Sequence, residues 1–199
     1  TRSRAAGLRA REFPRHVPPM ISGKTTLIAH IGYPTEAFKA PLIYNPWFEQ
    51  RGIDAVVMPM GVQAEDYPAV LKSLFKLTNL RGALITMPHK VTTAGLVDEC
   101  TTTVKIAGSC NAIRKRPDGT LHGDMFDGTG FARGLRHKGF AFGGAKCLVV
   151  GTGGVGSAIA ASLAAEGVAS ISLCDIDRVP AEGLATRLRN HYPRLAVDV

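Results

Sequence analysis

A glycine turn at residues 151–156 constrains the fold of this chain more than any other feature. The turn reads G-T-G-G-V-G, follows a short apolar run and precedes an Ala-rich amphipathic run over 157–166. A second apolar run, over 169–174, ends on Asp175, which is 19 residues after Gly156. This is the complete fingerprint of a dinucleotide-binding unit: a strand, a glycine turn, a helix and a second strand that ends on an acid.

The glycines of the turn have distinct predicted roles. Gly151 permits the tight turn, Gly153 lets the backbone approach the pyrophosphate, and Gly156 lets the helix press against the strand. The N-terminus of the helix offers unpaired N–H groups and the positive end of its dipole to the phosphates. We therefore assign the whole turn to the cofactor site, which includes the three intervening residues Thr152, Gly154 and Val155.

Asp175 determines which cofactor we expect. Its carboxylate would accept hydrogen bonds from the adenosine ribose and would repel a 2′-phosphate. Asp177 adds a second acid to the predicted site, and the nearest arginine, Arg178, is three positions beyond Asp175. We therefore predict NAD, with NADP as the alternative. Glycine turns also occur in S-adenosylmethionine enzymes and in α/β proteins without a nucleotide, but the full fingerprint favours a dinucleotide.

Composition argues against several classes of function. The chain has 199 residues and is 45% hydrophobic, enough for one large or two small domains with a buried core. No apolar run approaches the ~18 residues that cross a membrane, so we expect no membrane association. Residues 1–19 hold five Arg and one Glu and so contribute +4 of the formal net charge of +8. Because no basic stripe with interleaved aromatic residues follows, we expect no nucleic-acid partner.

The first 19 residues and the cysteines indicate the cellular compartment of the protein. Residues 1–19 are Arg-rich, as organelle transit peptides are. Because Met20 follows directly, we interpret them instead as a leader or upstream readthrough and exclude them from the fold. The four cysteines form no C-x-x-C pair, and three lie in apolar runs, as buried reduced thiols do. We expect a cytoplasmic protein without a metal site.

Strand-like and helix-like runs alternate from Met20 onwards. The predicted elements of the first part are strands over 26–31, 54–60 and 81–86, helices over 41–51 and 65–77, short helices from Pro88 and Thr101, and a hairpin of 110–114 with 120–123. Such alternation predicts an α/β fold with a mostly parallel sheet that is covered by helices on both faces.

We predict two domains. The substrate-binding domain covers 20–127, a connecting helix and linker cover 128–144, and a Rossmann-type cofactor domain covers 145–199. The last part continues with a helix over 180–191 and a strand from Leu195, which completes only the first half of a doubly wound sheet. We therefore expect a fragment of a longer protein.

Two side chains of the first part are candidates for proton transfer. Lys90 follows a predicted strand and lies in the first turn of a helix, where the helix dipole disfavours a cation. This position suits a solvated surface lysine, but it also suits a proton shuttle, since α/β proteins bind ligands at this edge of the sheet. Asp127 directly precedes a predicted helix, as an N-cap does, and could also hold Lys90 and exchange a proton with it through a substrate hydroxyl.

Six segments, in order, resemble the shikimate dehydrogenase family: G-Y-P, P-L-I-Y-N, T-M-P-H-K, A-G-S-C-N-A-I, G-D-M-F-D-G-T-G and G-T-G-G-V-G. The resemblance covers residues 28–188. It implies that Lys90 and Asp127 are the catalytic pair. It also implies that Thr86 and Asn111 bind the substrate. The implied reaction is the reversible NAD(P)-dependent oxidation of a ring hydroxyl in a small cyclic hydroxy acid such as shikimate or quinate, by a monomer or homodimer.

The segment that holds the substrate carboxylate in this family is altered here. Phe38 and Ala40 stand where the family has two serines, and Tyr44 replaces a histidine. Each lost hydrogen bond to a charged group costs ~1.5 to 3 kcal/mol, so two lost hydroxyls weaken carboxylate binding by about two to four decades. We therefore treat these three positions as substrate-site residues, with Lys39 or Tyr44 as possible replacement donors.

Other polar positions of the family are also replaced. Leu84 stands in place of an asparagine, and Met125 with Phe126 stand in place of an Asn-Thr pair. If these side chains face the pocket, its wall is more apolar than usual. Two alternatives stay open: an enzyme like the folate-cofactor dehydrogenases, and an NAD-binding sensor without turnover.

Overall fold

The computed structural model describes residues 21–199, and the predicted leader at 1–19 lies outside them. Two β-sheets form in this part of the chain, one of six strands and one of three. The architecture is α/β, as predicted, with a mostly parallel arrangement of strands. Among the described residues, no helix combines the length and the apolar character that crossing a bilayer requires.

The six-stranded sheet is built from the first part of the chain. Its elements are β1 (Thr26–Gly32), α1 (Ala40–Arg51), β2 (Ala55–Gly61), α2 (Tyr67–Leu74), β3 (Leu80–Ile85), α3 (Lys90–Ala94), β4 (Glu99–Cys100), α4 (Thr102–Ala107), β5 (Ala112–Lys115) and β6 (Leu121–Asp124). The strand order is β2-β1-β3-β5-β6-β4. β1 lies parallel to β2 and β3, whereas β5 is antiparallel to β3 and β6.

The antiparallel part of this sheet follows from the predicted hairpin. β5 and β6 are joined by a tight turn in which Gly119 has a φ of +92°, a conformation that favours glycine. The backbone N–H of Thr120 donates to Oδ1 of Asp118, which closes the turn locally. A short turn can join only antiparallel neighbours, so the sheet becomes mixed at this point.

Two predicted helices of this part differ from the structure, and one short strand was not predicted. α2 covers only Tyr67–Leu74, which is shorter than the predicted 65–77. α3 begins at Lys90 rather than at Pro88. The two-residue strand β4 was not predicted, because two residues are too few to show an alternating pattern.

The three-stranded sheet follows a connecting helix. The elements are α5 (Asp127–His137), β7 (Lys146–Val150), α6 (Gly154–Ala165), β8 (Ser170–Cys174), α7 (Arg178–His191) and β9 (Ala196–Asp198). The strands are all parallel, in the order β7-β8-β9. α6 begins three residues earlier and α7 two residues earlier than predicted, and each helix follows its strand after a three-residue turn, over 151–153 and 175–177.

Helices from both parts of the chain pack together. Gly128 lies where α5 crosses α6, and a Cβ there would collide with the carbonyl oxygen of Ala158 and with Oγ of Ser162. On α7, Nε of Arg187 donates a hydrogen bond of 2.6 Å to the carbonyl oxygen of Ile106 on α4. These contacts pack helices of the two parts of the chain against each other.

Candidate active site

Lys90 and Asp127, the predicted catalytic pair, lie in direct contact. Lys90 is the first residue of α3 and Asp127 the first residue of α5, so Asp127 is not the predicted N-cap but one position inside the helix. Nζ of Lys90 donates to Oδ2 of Asp127 at 2.5 Å. The two side chains are only 12% and 25% exposed, which favours the hydrogen-bonded ion pair over a solvated surface lysine.

Asn111 completes this cluster by holding Asp127. Nδ2 of Asn111 donates to Oδ1 of Asp127 at 2.8 Å, and Oδ1 of Asn111 accepts from the backbone N–H of Phe126 at 3.0 Å. Both carboxylate oxygens of Asp127 therefore have a donor, one from Lys90 and one from Asn111. The sequence predicted Asn111 as a substrate contact and did not indicate its bond to Asp127.

Backbone hydrogen bonds fix the cluster to the sheet. The backbone N–H of Cys110 donates to the carbonyl oxygen of Lys90 at 2.8 Å. The carbonyl oxygen of Asn111 accepts from Ile85 at 2.8 Å, and its N–H donates to Asp124 at 3.0 Å. The start of α3 is thus tied to the strands that carry the other members of the cluster.

Thr86 and Phe38 both lie against the Cβ position of Gly32. A Cβ on Gly32 would collide with Cγ2 of Thr86 and would stand 3.0 Å from Cζ of Phe38. The phenyl ring also packs on His30, with ring centroids 4.2 Å apart. Phe38 therefore occupies space directly beside the predicted substrate residue Thr86, at the carboxyl ends of β1 and β3.

The remaining residues of the predicted substrate segment do not join this cluster. Ala40 is half-buried at the start of α1, and Tyr44 is 41% exposed with its ring against Phe48. Among the described residues, no hydrogen bond connects the Tyr44 side chain to Lys90 or its partners. Met125 does not form a pocket wall either, because it is 1% exposed within the core of the first sheet.

The glycine turn adopts the geometry that its sequence predicts. Gly151 has a φ of +90°, which suits glycine, and a Cβ on Gly156 would run into the carbonyl oxygen of Gly151. Around Gly153 there is open space for 4 Å. The turn therefore presents bare backbone and the N-terminus of α6 toward one cavity, the arrangement that a pyrophosphate requires.

Gly154 joins the glycine turn to the predicted catalytic lysine. A Cβ at Gly154 would stand 3.2 Å from Cβ of Lys90 and 3.5 Å from Cβ of Ser109. Oγ of Ser109 donates to the carbonyl oxygen of Gly154 at 2.8 Å, and Ser109 is fully buried. The sequence does not indicate this role of Ser109, since the bond spans 45 positions along the chain.

A cavity of about 430 Å³ brings the two parts of the site together. It is lined by Met87, Pro88, Lys90 and Val91 on one side and by Val150, Gly151, Gly153, Gly154, Val155, Gly156 and Ile159 on the other. A somewhat larger cavity, about 470 Å³, lies beside residues 191–195 and contains none of the predicted site residues. Of these two cavities, the one of about 430 Å³ therefore combines the predicted proton-transfer lysine with the glycine turn. Among residues 21–199, no group of three or more His, Cys, Asp or Glu side chains is placed to hold a metal ion.

Asp175 lies at the end of β8 against the turn. Its Oδ2 accepts from the backbone N–H of Thr152 at 2.5 Å and from Oγ1 of Thr152 at 2.7 Å, while Oδ1 accepts from the N–H of Asp177. These donors, led by the N–H of Thr152, lower the pKa of Asp175 to about 2. The carboxylate is therefore charged at neutral pH.

Asp177 has a structural role that the sequence analysis missed. It is the N-cap of α7, and its Oδ1 accepts from the backbone N–H of Val179 at 3.0 Å. Arg178, the nearest cation to Asp175 in sequence, is directed to Glu182, with Nε 3.3 Å from Oε1. The structure thus shows Asp175 without an arginine contact among the described residues.

Two family models match the chain. Residues 30–113 match the shikimate dehydrogenase substrate binding domain, and residues 142–188 match the ThiF family. The first match covers the segment that contains Lys90, Thr86 and Asn111, and the second covers the glycine turn.

Curated relatives match most of the chain. A shikimate dehydrogenase (NADP(+)) of Rubrobacter xylanophilus is 33% identical over 171 residues, which are 86% of this chain and 59% of that protein. One from Pelobacter propionicus is 36% identical over 151 residues, which are 76% of this chain and 54% of that protein. The chain thus spans somewhat more than half the length of these relatives.

Solved structures match over a similar range. The shikimate 5-dehydrogenase of Listeria monocytogenes, in complex with shikimate and NAD, gives a TM-score of 0.80 at 28% identity, over 89% of this chain and 62% of that one. The 5-ketofructose reductase of Gluconobacter gives a TM-score of 0.77 at 23% identity, over 89% of this chain and 64% of that one, a likeness of fold alone.

Proposed function

Because the chain belongs to the shikimate dehydrogenase family, we propose that it transfers a hydride between NAD(P) and the hydroxyl-bearing carbon of a small cyclic hydroxy acid. One observation carries this proposal: Lys90, paired with Asp127, lines the same cavity as the glycine turn. A proton-transfer group and a cofactor cradle must face one substrate for such a reaction.

The residues of the turn fit a dinucleotide. The open space at Gly153 and the backbone of Gly151–Gly156 would hold the pyrophosphate, and Asp175 would hold the adenosine ribose. When bound, the nicotinamide accepts or supplies the hydride. The proton transfer would fall to Lys90 at the start of α3 and Asp127 at the start of α5.

Lys90 and Asp127 would move the proton. In the direction of ketone reduction, Nζ of Lys90 donates a proton to the carbonyl oxygen as that oxygen gains negative charge. In the direction of alcohol oxidation, the neutral amine accepts the hydroxyl proton. Asp127 holds Nζ through Oδ2 and is itself held by Asn111, so the donor is positioned before the substrate binds.

An assay across substrates tests the proposed function. The assay uses the longest natural chain that contains this sequence. We expect the purified protein to reduce NAD or NADP with at least one cyclic hydroxy acid from a panel that includes shikimate and quinate. Absorbance of the reduced nicotinamide gives the rate. Turnover only with a folate derivative would favour the folate-cofactor alternative, and cofactor binding without turnover of any compound would favour a sensor.

The cofactor preference is a second expected result. The curated relatives are NADP(+) enzymes by name, but Asp175 would bring a charged carboxylate to the adenosine ribose, and Arg178 is directed to Glu182. A carboxylate repels a 2′-phosphate, so we predict that kcat/KM for NAD exceeds that for NADP by tenfold or more. Steady-state kinetics with the two cofactors at a fixed substrate concentration measure this ratio.

Two variants sharpen the comparison. Asp175→Asn removes the charge at nearly constant shape and should reduce the preference for NAD. Asp66→Asn, at an exposed acid whose side chain does not cap α2, should leave the ratio unchanged. Equal efficiency with both cofactors in the unmodified protein would show that Asp175 does not act on the ribose.

A further inference from the structure

His30 is a buried polar side chain that neither the fold nor the proposed proton transfer uses. It lies within β1 and is 7% exposed. Its Nδ1 is sealed from solvent without a hydrogen-bond partner, and among residues 21–199 it is the only side-chain nitrogen or oxygen in that state. An unpaired buried polar atom destabilises a fold, so stability does not explain why an imidazole occupies this position.

The sheet register places His30 beside the predicted substrate residues. His30 pairs with Leu84 on β3, and two positions further along β1, Gly32 contacts Thr86. Residues two apart on a strand share a face of the sheet. His30 and Leu84 therefore form the row directly beneath Gly32 and Thr86, on the same face.

The surroundings of the ring keep it neutral. Burial, and to a smaller extent the charge of Lys90, lower the pKa of His30. Phe38 covers the imidazole with a tilt of 37° between the two rings. A neutral imidazole has one N–H, and buried N–H groups are rarely left without an acceptor, so the proton belongs on Nε2 rather than on the sealed Nδ1.

Nε2 is the polar atom of His30 that remains for a ligand. It makes no hydrogen bond within residues 21–199, and unlike Nδ1 it is not one of the sealed side-chain atoms that lack a partner there. We propose that His30 determines substrate specificity: Nε2–H donates a hydrogen bond to a ring hydroxyl oxygen of the substrate, next to Phe38. The inference rests on the proposed function. The Leu84 side chain has no polar atom that could bind a substrate hydroxyl, so His30 would supply this hydrogen bond from the neighbouring strand.

Kinetics of His30 variants test the role. We expect His30→Val to raise KM for the best cyclic hydroxy acid of the panel about three- to tenfold, the usual value of one neutral hydrogen bond, with KM for NAD unchanged. His30→Gln keeps a donor and should recover part of the loss. His122→Val is the matched control, because His122 lies on β6 of the same sheet and contacts Arg116 and Glu99 instead. Thermal unfolding verifies that all variants are folded.

NMR of the imidazole nitrogens gives a readout that does not depend on turnover. Shikimate and quinate are each added to the NAD-bound protein at a concentration well above the measured KM or, if the compound is not turned over, up to its solubility limit. We expect each compound to shift the Nε2 resonance of His30 and to leave that of His122 in place. If the protein oxidises a cyclic hydroxy acid but neither KM in His30→Val nor the His30 resonance changes, the inference is wrong and the proposed function stands. If no compound is turned over, the proposed function fails, and an unshifted His30 resonance then overturns the inference separately.

Discussion

Replacement of Lys90 by alanine is expected to lower kcat by about a hundredfold or more, the usual value of a positioned proton-transfer group. Within the described residues, Lys90 is the only lysine that both contacts Asp127 and lines the cavity beside the glycine turn. Without it, the developing charge on the substrate oxygen has no proton donor at hand. Steady-state kinetics with the preferred substrate measure the loss.

Cofactor affinity should hardly change in the same variant. The part of Lys90 closest to the glycine turn is Cβ, which stands 3.2 Å from the Cβ position of Gly154, and alanine keeps that atom. The dissociation constant for NAD, followed by nucleotide fluorescence, should therefore stay within a few-fold of the unmodified value. A large loss of NAD affinity would instead indicate that Lys90 supports the turn.

Two further variants separate charge from proton transfer. Lys90→Arg keeps a cation beside Asp127, but a guanidinium does not release its proton at neutral pH, so kcat should also be low. Lys72→Ala, at an exposed lysine on α2, controls for a general loss of positive charge. Near-normal kcat in Lys90→Ala, with Lys72→Ala as the reference, would show that Lys90 does not transfer the proton and that its contact with Asp127 is structural.

The sequence predicted those features that depend on neighbours along the chain. The glycine turn is one, because the positive φ of Gly151 and the close approach at Gly156 are requirements of the turn itself. The β5–β6 hairpin is another, since Pro117, Asp118 and Gly119 specify its turn locally. The start of α6 was placed too late, because glycines at 154 and 156 carry no side chain that would extend the amphipathic pattern.

Features that depend on distant partners were not predictable in this way. Asn111 is used to hold Asp127, 16 positions away, and Ser109 bonds to Gly154, 45 positions away. The pairing of His30 with Leu84 depends on strand order, which the local pattern does not contain. The cap at Asp177 is a different case: it is local, but it was hidden because the predicted start of α7 was two residues late.

Substrate choice is where family membership and the residues of this chain disagree most. The resemblance implies two serine hydroxyls for the substrate carboxylate, and Phe38 and Ala40 have none. The structure adds that the Phe38 ring fills space beside Gly32 and Thr86, rather than turning away to solvent. A carboxylate placed there would lose its hydration without gaining donors, which is costly.

We therefore predict that the protein uses shikimate poorly, with kcat/KM well below the ~10⁴ M⁻¹s⁻¹ at the low end of typical enzymes. The double variant Phe38→Ser with Ala40→Ser should raise kcat/KM for shikimate, mainly through a lower KM, because it restores two hydroxyl donors and removes the ring. Initial rates with shikimate and NAD measure both values.

Ala37→Ser is the matched control, since it adds a hydroxyl at an exposed neighbouring position and should leave kcat/KM for shikimate unchanged. The single variants divide the effect: Phe38→Ser removes the ring as well as adding a donor, whereas Ala40→Ser only adds a donor. Efficient turnover of shikimate by the unmodified protein would contradict the argument from substitution. Donors such as Lys39 or Tyr44, which are exposed on the same segment, would then have to turn inward when the carboxylate binds.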